Sequence, residues 1–284
     1  MTPSPGTCAG VPTRFVRRLR HTHSMAFTLR YGPSDSQVGD LYLPAEGPSP
    51  VLCLLHGGFW RYPYGKEQMD DIAKDFVNRG FAVWNIEYRR VGEAGGGWPG
   101  TLADVFTAID FLARPSCRDY PLDLSKVIVI GHSAGGHLAL LSCLNARPGE
   151  ISQSEPRVVP IAVAVLAGIT DLIMVHELNS GDGAVASLLG GPPTRFPDRF
   201  RSASPMAQLP LFTRQLVLHG TDDAALPIDL SRHYVDAARR AGDDAKFIEL
   251  ANMGHMEYLS PSSQAHRVLC QWLTETVKRH QALA

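Results

Sequence analysis

Apolar residues follow two rhythms along this chain. Short apolar runs recur: Val38–Leu43 alternates and ends at Pro44, Val51–Leu55 is continuously apolar, and Ala82–Ile86 follows the turn at Gly80. Val127–Ile130, Val158–Leu166, Gln215–Leu218 and Lys246–Leu250 continue the series. Apolar runs without alternation suit strands covered on both faces. Between them, segments near 66–79, 101–114, 134–146, 228–241 and 262–279 carry apolar positions at helical spacing. Strand alternating with helix predicts an α/β fold, a mostly parallel central sheet with helices on both faces. The early strand 38–43 is expected to pair antiparallel at an edge, joined onward by the Pro/Gly-rich loop 44–50. No repeat or low-complexity linker divides the chain, so 25–284 reads as one domain.

One segment breaks the rhythm. From Gly168 to Pro210 the pattern is irregular, with prolines at 192, 193, 197, 205 and 210. A connection that long inside a compact domain is usually functional. It reads as a small cap-like insertion over a site, with a short helix near 183–189.

Composition narrows the picture by exclusion. The hydrophobic share is 44%, the charged share 19% and the net charge −1, which gives no pull toward nucleic acid or a membrane surface. No apolar run approaches the ~18–20 residues that span a bilayer. Cysteines number five, without a Cys-x-x-Cys, and Cys53 and Cys143 lie in apolar runs. Free buried thiols in a reducing, cytoplasmic setting are expected. The first 24 residues hold Arg14, Arg17, Arg18 and Arg20 and no acid. They read as a disordered basic arm, or as upstream sequence attached to a start at Met25, with an organellar transit peptide as the competing reading.

Candidate chemistry begins at Gly-His-Ser-Ala-Gly, residues 131–135. It fits the Gly-x-Ser-x-Gly elbow, in which a serine sits on a sharp turn between a buried strand and a helix. The strand precedes it, and Leu138, Ala139, Leu140, Leu141 and Leu144 supply the helix after it. A glycine-rich turn without chemistry would share that context. A serine nucleophile, however, also needs a base and a group to orient the base. In this motif's setting the order is Ser, Asp/Glu, His. Gln215–Asp223 runs from a strand into two acids, and Lys246–Leu250 runs into Ala-Asn-Met-Gly-His, ending at His255. Both candidates stand past the carboxyl ends of strands, where open α/β sheets place their sites. Of the two acids, Asp223 lies at the loop apex, four residues from His219 and from Pro227, and is preferred, with Asp222 expected to cap the turn.

His-Gly-Gly-Phe-Trp at 56–60 follows another strand. Gly57 and Gly58 free the backbone to turn, so that the Gly58 and Phe59 amides, with that of Ala134, can meet an oxyanion. His56 is read as shaping the loop without transferring a proton. Trp60 and Tyr62 beside Phe59 are candidates for an aromatic-accepting pocket, and Trp98, in the glycine-rich loop 95–100, for a lid residue at the cleft mouth. That loop satisfies Gly-x-Gly-x-x-Gly, but it sits several residues after its strand and carries Pro99, against a dinucleotide site. His21-Thr-His23 lacks further ligands nearby, so no metal is expected.

Together these segments resemble the α/β-hydrolase superfamily, and more narrowly the esterase group that includes kynurenine formamidase. The likeness rests on His-Gly-Gly-Phe-Trp at 56–60, Tyr88-Arg89, Gly-His-Ser-Ala-Gly-Gly-His-Leu at 131–138, His-Gly-Thr-Asp-Asp at 219–223 and Gly254-His255. It covers about residues 31–280. The aromatic-Trp ending of the 56–60 motif tilts it toward the formamidase, although ester-hydrolysing relatives share it. The resemblance implies Ser133 as nucleophile, Asp223 as orienting acid, His255 as base, and residues 57–59 with 134 as oxyanion hole. It implies a cofactor-free serine hydrolase, a monomer or homodimer, acting on a small formamide or ester, N-formylkynurenine first. A general short-chain carboxylesterase is the alternative. A non-catalytic binding member of the fold is the rival of another class, though such proteins typically lack the serine or histidine.

Overall fold

The computed structural model describes residues 25–144 and 157–283, and the backbone of Phe15–Val16. The expected basic arm, His21-Thr-His23 and the end of the 134–146 helix otherwise lie outside the described residues.

Nine strands form one sheet: β1 (Phe15–Val16), β2 (Met25–Arg30), β3 (Val38–Leu43), β4 (Ser49–Leu55), β5 (Ala82–Ile86), β6 (Leu122–His132), β7 (Ala162–Leu166), β8 (Arg214–Gly220) and β9 (Ala245–Leu250). Their order is β1-β2-β3-β5-β4-β6-β7-β8-β9. From β5 to β9 every neighbouring pair is parallel, while β1, β2 and β3 join antiparallel. This is the mixed, mostly parallel α/β sheet that the sequence predicts.

Helices cover both faces. The α-helices are α1 (Asp70–Asn78), α2 (Gly100–Phe111), α3 (Ala134–Ser142), α4 (Leu172–Glu177), α5 (Ala184–Leu189), α6 (Pro197–Ala203), α7 (Asp229–Ala241) and α8 (Gln264–Leu283). Strand alternation sorts the core into two layers. Val51, Cys53 and Leu55 meet Val105 and Ile109 of α2, Leu138 of α3 and Tyr234 of α7. Leu52 and Leu54 meet Phe76 of α1 and Leu269 and Trp272 of α8. The continuous run 51–55 therefore has period two, with both halves buried. Cys53, Cys117, Cys143 and Cys270 are free and buried. Among the described residues no helix is long and apolar enough to cross a membrane.

Three elements differ from expectation. β3 pairs antiparallel with β5 but is not the edge, because β2 lies outside it. Met25–Arg30 alternates only over Phe27–Arg30. The strand expected over 158–166 is ordered only from Ala162; Pro160 offers no N–H to a ladder, and pairing resumes with Ile161 N–H donating to Val127 O (2.8 Å). The first segment expected to be helical, 66–79, is a 3₁₀ turn over Lys66–Met69 followed by α1.

Candidate active site

β6 runs straight into Ser133, and α3 starts one residue later. The turn is tight. Ser133 has φ 54°, ψ −119°, a region that side-chain-bearing residues rarely enter and that costs about 1–3 kcal/mol. A Cβ on Gly131 would lie 2.0 Å from Gly135 O, and one on Gly135 2.1 Å from Leu55 O. Strand, turn and helix thus touch backbone to backbone, which only glycine permits. The peptide is held by Ser133 N–H donating to Leu166 O (2.9 Å) at the end of β7.

The loop after β4 passes beside this turn. A Cβ on Gly57 would stand 3.1 Å from Ser133 Cβ. Gly58, Phe59 and Trp60 have successive positive φ of 101°, 50° and 57°, so the chain curls and turns its amides outward. Among the described residues neither Phe59 N–H nor Ala134 N–H meets an acceptor. Unused donors in this loop and at Ala134, next to Ser133, are what an oxyanion needs.

His56 braces this loop from beneath. It is fully buried, with Nδ1 2.8 Å from Gly57 O, Nε2 2.8 Å from Glu87 Oε1, and the Tyr88 ring stacked on it at 4.2 Å. Burial opposes ionisation of Glu87, but His56, Arg90 and the Lys66 N–H hold its carboxyl below the usual range. Both His56 nitrogens are engaged, so the ring shapes the loop.

Asp223 and His255 meet on the opposite side. His255 Nδ1 donates to Asp223 Oδ2 at 2.7 Å. That leaves Nε2 of His255, whose side chain is 16% exposed, as the nitrogen available for proton transfer. Asp223 also caps its own turn, its Oδ1 accepting from Ala225 and Leu226 N–H at 2.9 Å each. The capping expected of Asp222 therefore falls to Asp223, while Asp222 is exposed and, among the described residues, accepts only from Thr221 Oγ1 (2.8 Å). Burial alone would raise the Asp223 carboxyl; donors from His219, His255 and Leu226 hold it well below the usual carboxylate range.

Two histidines join these parts without having been assigned a role in the sequence. His132 precedes Ser133, and its Nε2–H donates to His255 O (2.8 Å), with the two rings 4.8 Å apart. It ties the His255 loop to the elbow. His219 at the end of β8 lies 3.2 Å from Asp223 Oδ2. Both stand inside motifs, as the x of Gly-x-Ser-x-Gly and as the first residue of His-Gly-Thr-Asp-Asp.

The pocket residues divide. Trp60 has no exposed surface and packs edge-on to His137 at 5.0 Å, so it supports the loop from inside rather than facing a substrate. Trp98 is half-buried against the core, and its N–H donates to Leu188 O (2.7 Å), fixing the 95–100 loop to α5. Tyr62 is 65% exposed, and Tyr64, Leu178 and Met256 are also exposed. The 168–210 segment folds into α4, α5, α6 and a 3₁₀ turn, and α5 occupies the expected 183–189. It docks on the Phe59 loop: Arg61 Nη2 donates to Asp182 O (2.8 Å), and a Cβ on Gly181 would fall 2.6 Å from the Phe59 ring.

One group of metal-type side chains lies elsewhere, where Asp75, His266 and Cys270 join α1 to α8 with ligand atoms within 4.8 Å of one another. The Arg79 guanidinium already occupies the Asp75 carboxylate.

A family model described as BD-FAE matches residues 39–237, which takes in the 56–60 loop, Ser133 and Asp223. Esterase LipC of Mycobacterium tuberculosis is 27% identical over 255 residues, covering 84% of this chain and 61% of LipC. Kynurenine formamidase of Drosophila melanogaster is 26% identical, covering 83% of this chain and 76% of that enzyme. The chain spans only about half to three fifths of the length of several other curated relatives, the isoprenylcysteine methylesterases among them. A truncated carbohydrate esterase from gut microbiota superposes with a TM-score of 0.76 at 24% identity, over 90% of this chain and 96% of that one. That likeness is one of fold.

Proposed function

The chain belongs to the BD-FAE family of esterase-type α/β-hydrolases, and from that premise we propose that it is a serine carboxylesterase working through an acyl-enzyme. His255 Nε2 takes the Ser133 proton as Oγ attacks the ester carbonyl. Asp223 fixes the imidazole tautomer and stabilises its charged form. The Phe59 and Ala134 amides receive the oxyanion; losing one such donor costs about 3 kcal/mol of transition-state stabilisation. The imidazolium then protonates the departing alkoxide. Water, deprotonated by His255, attacks the acyl-enzyme and releases the acid, with the proton returned to Ser133. No cofactor takes part. The observation that carries the reading is a strained serine at a strand–helix turn, whose neighbour His132 bonds the backbone of a histidine paired with a buried carboxylate.

The substrate is proposed to be a small ester, met by monomer or homodimer in the cytoplasm, where the free buried thiols stay reduced. Nucleic acid and membrane are not among the proposed partners. Ser133→Ala should lower kcat on p-nitrophenyl acetate by about 10⁴–10⁶-fold with the fold intact. Undiminished turnover by that variant would overturn the proposal.

Cleavage of an aryl formamide such as N-formylkynurenine is the second reading. It is favoured by the length match to the fly kynurenine formamidase and by exposed Tyr62 and Tyr64 near the Phe59 loop. Comparing kcat/KM on N-formylkynurenine with that on a p-nitrophenyl ester series of increasing acyl length separates the two.

A further inference from the structure

His219 is a fully buried residue in the middle of a polar contact set. Its Nε2 faces two acceptors, Leu226 O at 3.1 Å and Asp223 Oδ2 at 3.2 Å. Acceptors on that side require Nε2 to carry the hydrogen. Its Nδ1 lies 2.7 Å from Ser231 Oγ of α7, a hydroxyl that can donate to the lone pair left there. Asp223 consequently receives three hydrogen-bond donors, Ala225 and Leu226 N–H on Oδ1 and His255 on Oδ2, and the His219 N–H, shared with Leu226 O, stands 3.2 Å from Oδ2. Contacts on both oxygens hold the carboxylate rotamer from two sides.

We propose that His219, backed by Ser231, is a positioning residue that holds Asp223 against His255 and shares the charge of Oδ2. The proposal rests on the acyl-transfer reading of Ser133, Asp223 and His255. The charge sharing has a direction. With the His219 N–H gone, more negative charge on Oδ2 is left to His255, and its protonated form is favoured. The base must be neutral to act, so the acid limb of kcat/KM moves to higher pH. The other titratable groups around the pair are His132 from β6, Tyr258 and Glu257 from the turn after His255, Glu249 from β9, Asp222 from the same loop and His56 beyond His132. Of these, Glu249 also feels His219.

The test uses the full chain and three variants. His219→Phe keeps the ring and removes the donor, His219→Gln places an amide N–H near the Nε2 position, and Ser231→Ala removes only the backing hydroxyl. Fluorophosphonate labelling of wild-type Ser133 comes first; if the serine does not label, the acyl-transfer reading falls and takes this proposal with it. With labelling intact, His219→Phe is expected to lower kcat about tenfold, the order of one charge-assisted hydrogen bond. KM should change by less than about twofold, and the acid limb should rise. His219→Gln should restore most of both. Ser231→Ala should move kcat and the limb in the same direction by less, and it serves as the test if His219→Phe does not fold. Variants that only melt earlier, with kcat and the acid limb unmoved, would overturn the proposal, as would equal losses in the Phe and Gln variants.

Discussion

Three hydrogen-bond donors and the His219 ring nitrogen converge on Asp223, whereas one hydroxyl reaches Asp222, and this separates two acids that are adjacent in sequence. Asp223→Asn retains an oxygen for the Ala225 and Leu226 N–H groups, so the turn should survive. Its amide would face His255 with the wrong hydrogen and favour the wrong tautomer. kcat should fall by about 10⁴, the effect of such a change in a serine triad, while Asp222→Asn should stay within about twofold of wild type. Steady-state rates of both on one p-nitrophenyl ester check the ranking, and the reverse ranking would reassign the acid. At this scale the sequence is legible where a residue's chemistry names it: Ser133, Asp223 and His255 each stand in a motif that requires that atom at a strand end. His219 and His132 were not legible as partners. Their role depends on which oxygen lies 3 Å away after folding, and β8 meets the 223–226 turn, and β6 the 255 loop, only in three dimensions.

The cap-like segment is where element-scale reading was hardest. Its helices α4, α5 and α6 have six or seven residues each, too short for a periodic signal to stand out. The long-range contacts that place them, Trp98 N–H to Leu188 O and His137 Nε2 to Ala203 O, leave no local trace. By contrast β4 and β5 were readable to within a residue or two, because a strand covered on both faces must be apolar throughout. The turn between α4 and α5 is where the segment meets the Phe59 loop. Asn179, Gly181, Asp182 and Gly183 all have positive φ, and Asn179 Oδ1 closes the turn on Gly183 N–H at 3.1 Å. Gly181 has φ 72° and lets the Phe59 ring lie against the bare backbone. A methyl there would push the ring, and with it the Phe59 amide proposed to receive the oxyanion. Gly181→Ala should therefore lower kcat by about tenfold or more, approaching the loss of one oxyanion donor. If only KM changed, the turn would be a substrate wall with no hold on the amide.

For the molecule as a whole, burying both faces of one sheet carries histidines into the interior, and that makes stability depend on pH. His132 and His137 are each 1% exposed. Each donates from Nε2 to a carbonyl, and Nδ1 has no partner among the described residues. Burial, aided at His132 by the neighbouring His255, pushes both down to about 4. In the unfolded chain they return to about 6.5. Between those values the unfolded state binds protons that the folded state refuses, so stability is full above about pH 6.5 and falls as pH drops toward 4. Glu93 works in a lower window. Burial opposes its ionisation, but hydrogen bonds from Arg90 and Ser36 bring it from 4.5 down to about 2. Its contribution is present above about pH 4.5 and is lost as pH falls through 2. The melting temperature should therefore decline in two stages on acidification, histidines first and carboxylates after. His137→Gln keeps an N–H for Ala203 O but has nothing to protonate. Its Tm should fall less steeply than wild type between pH 6.5 and 4, and in parallel with it below 4. A slope in the upper window as steep as that of wild type would mean that the protons are taken up elsewhere, and that His137 is a structural donor whose charge state does not bear on stability.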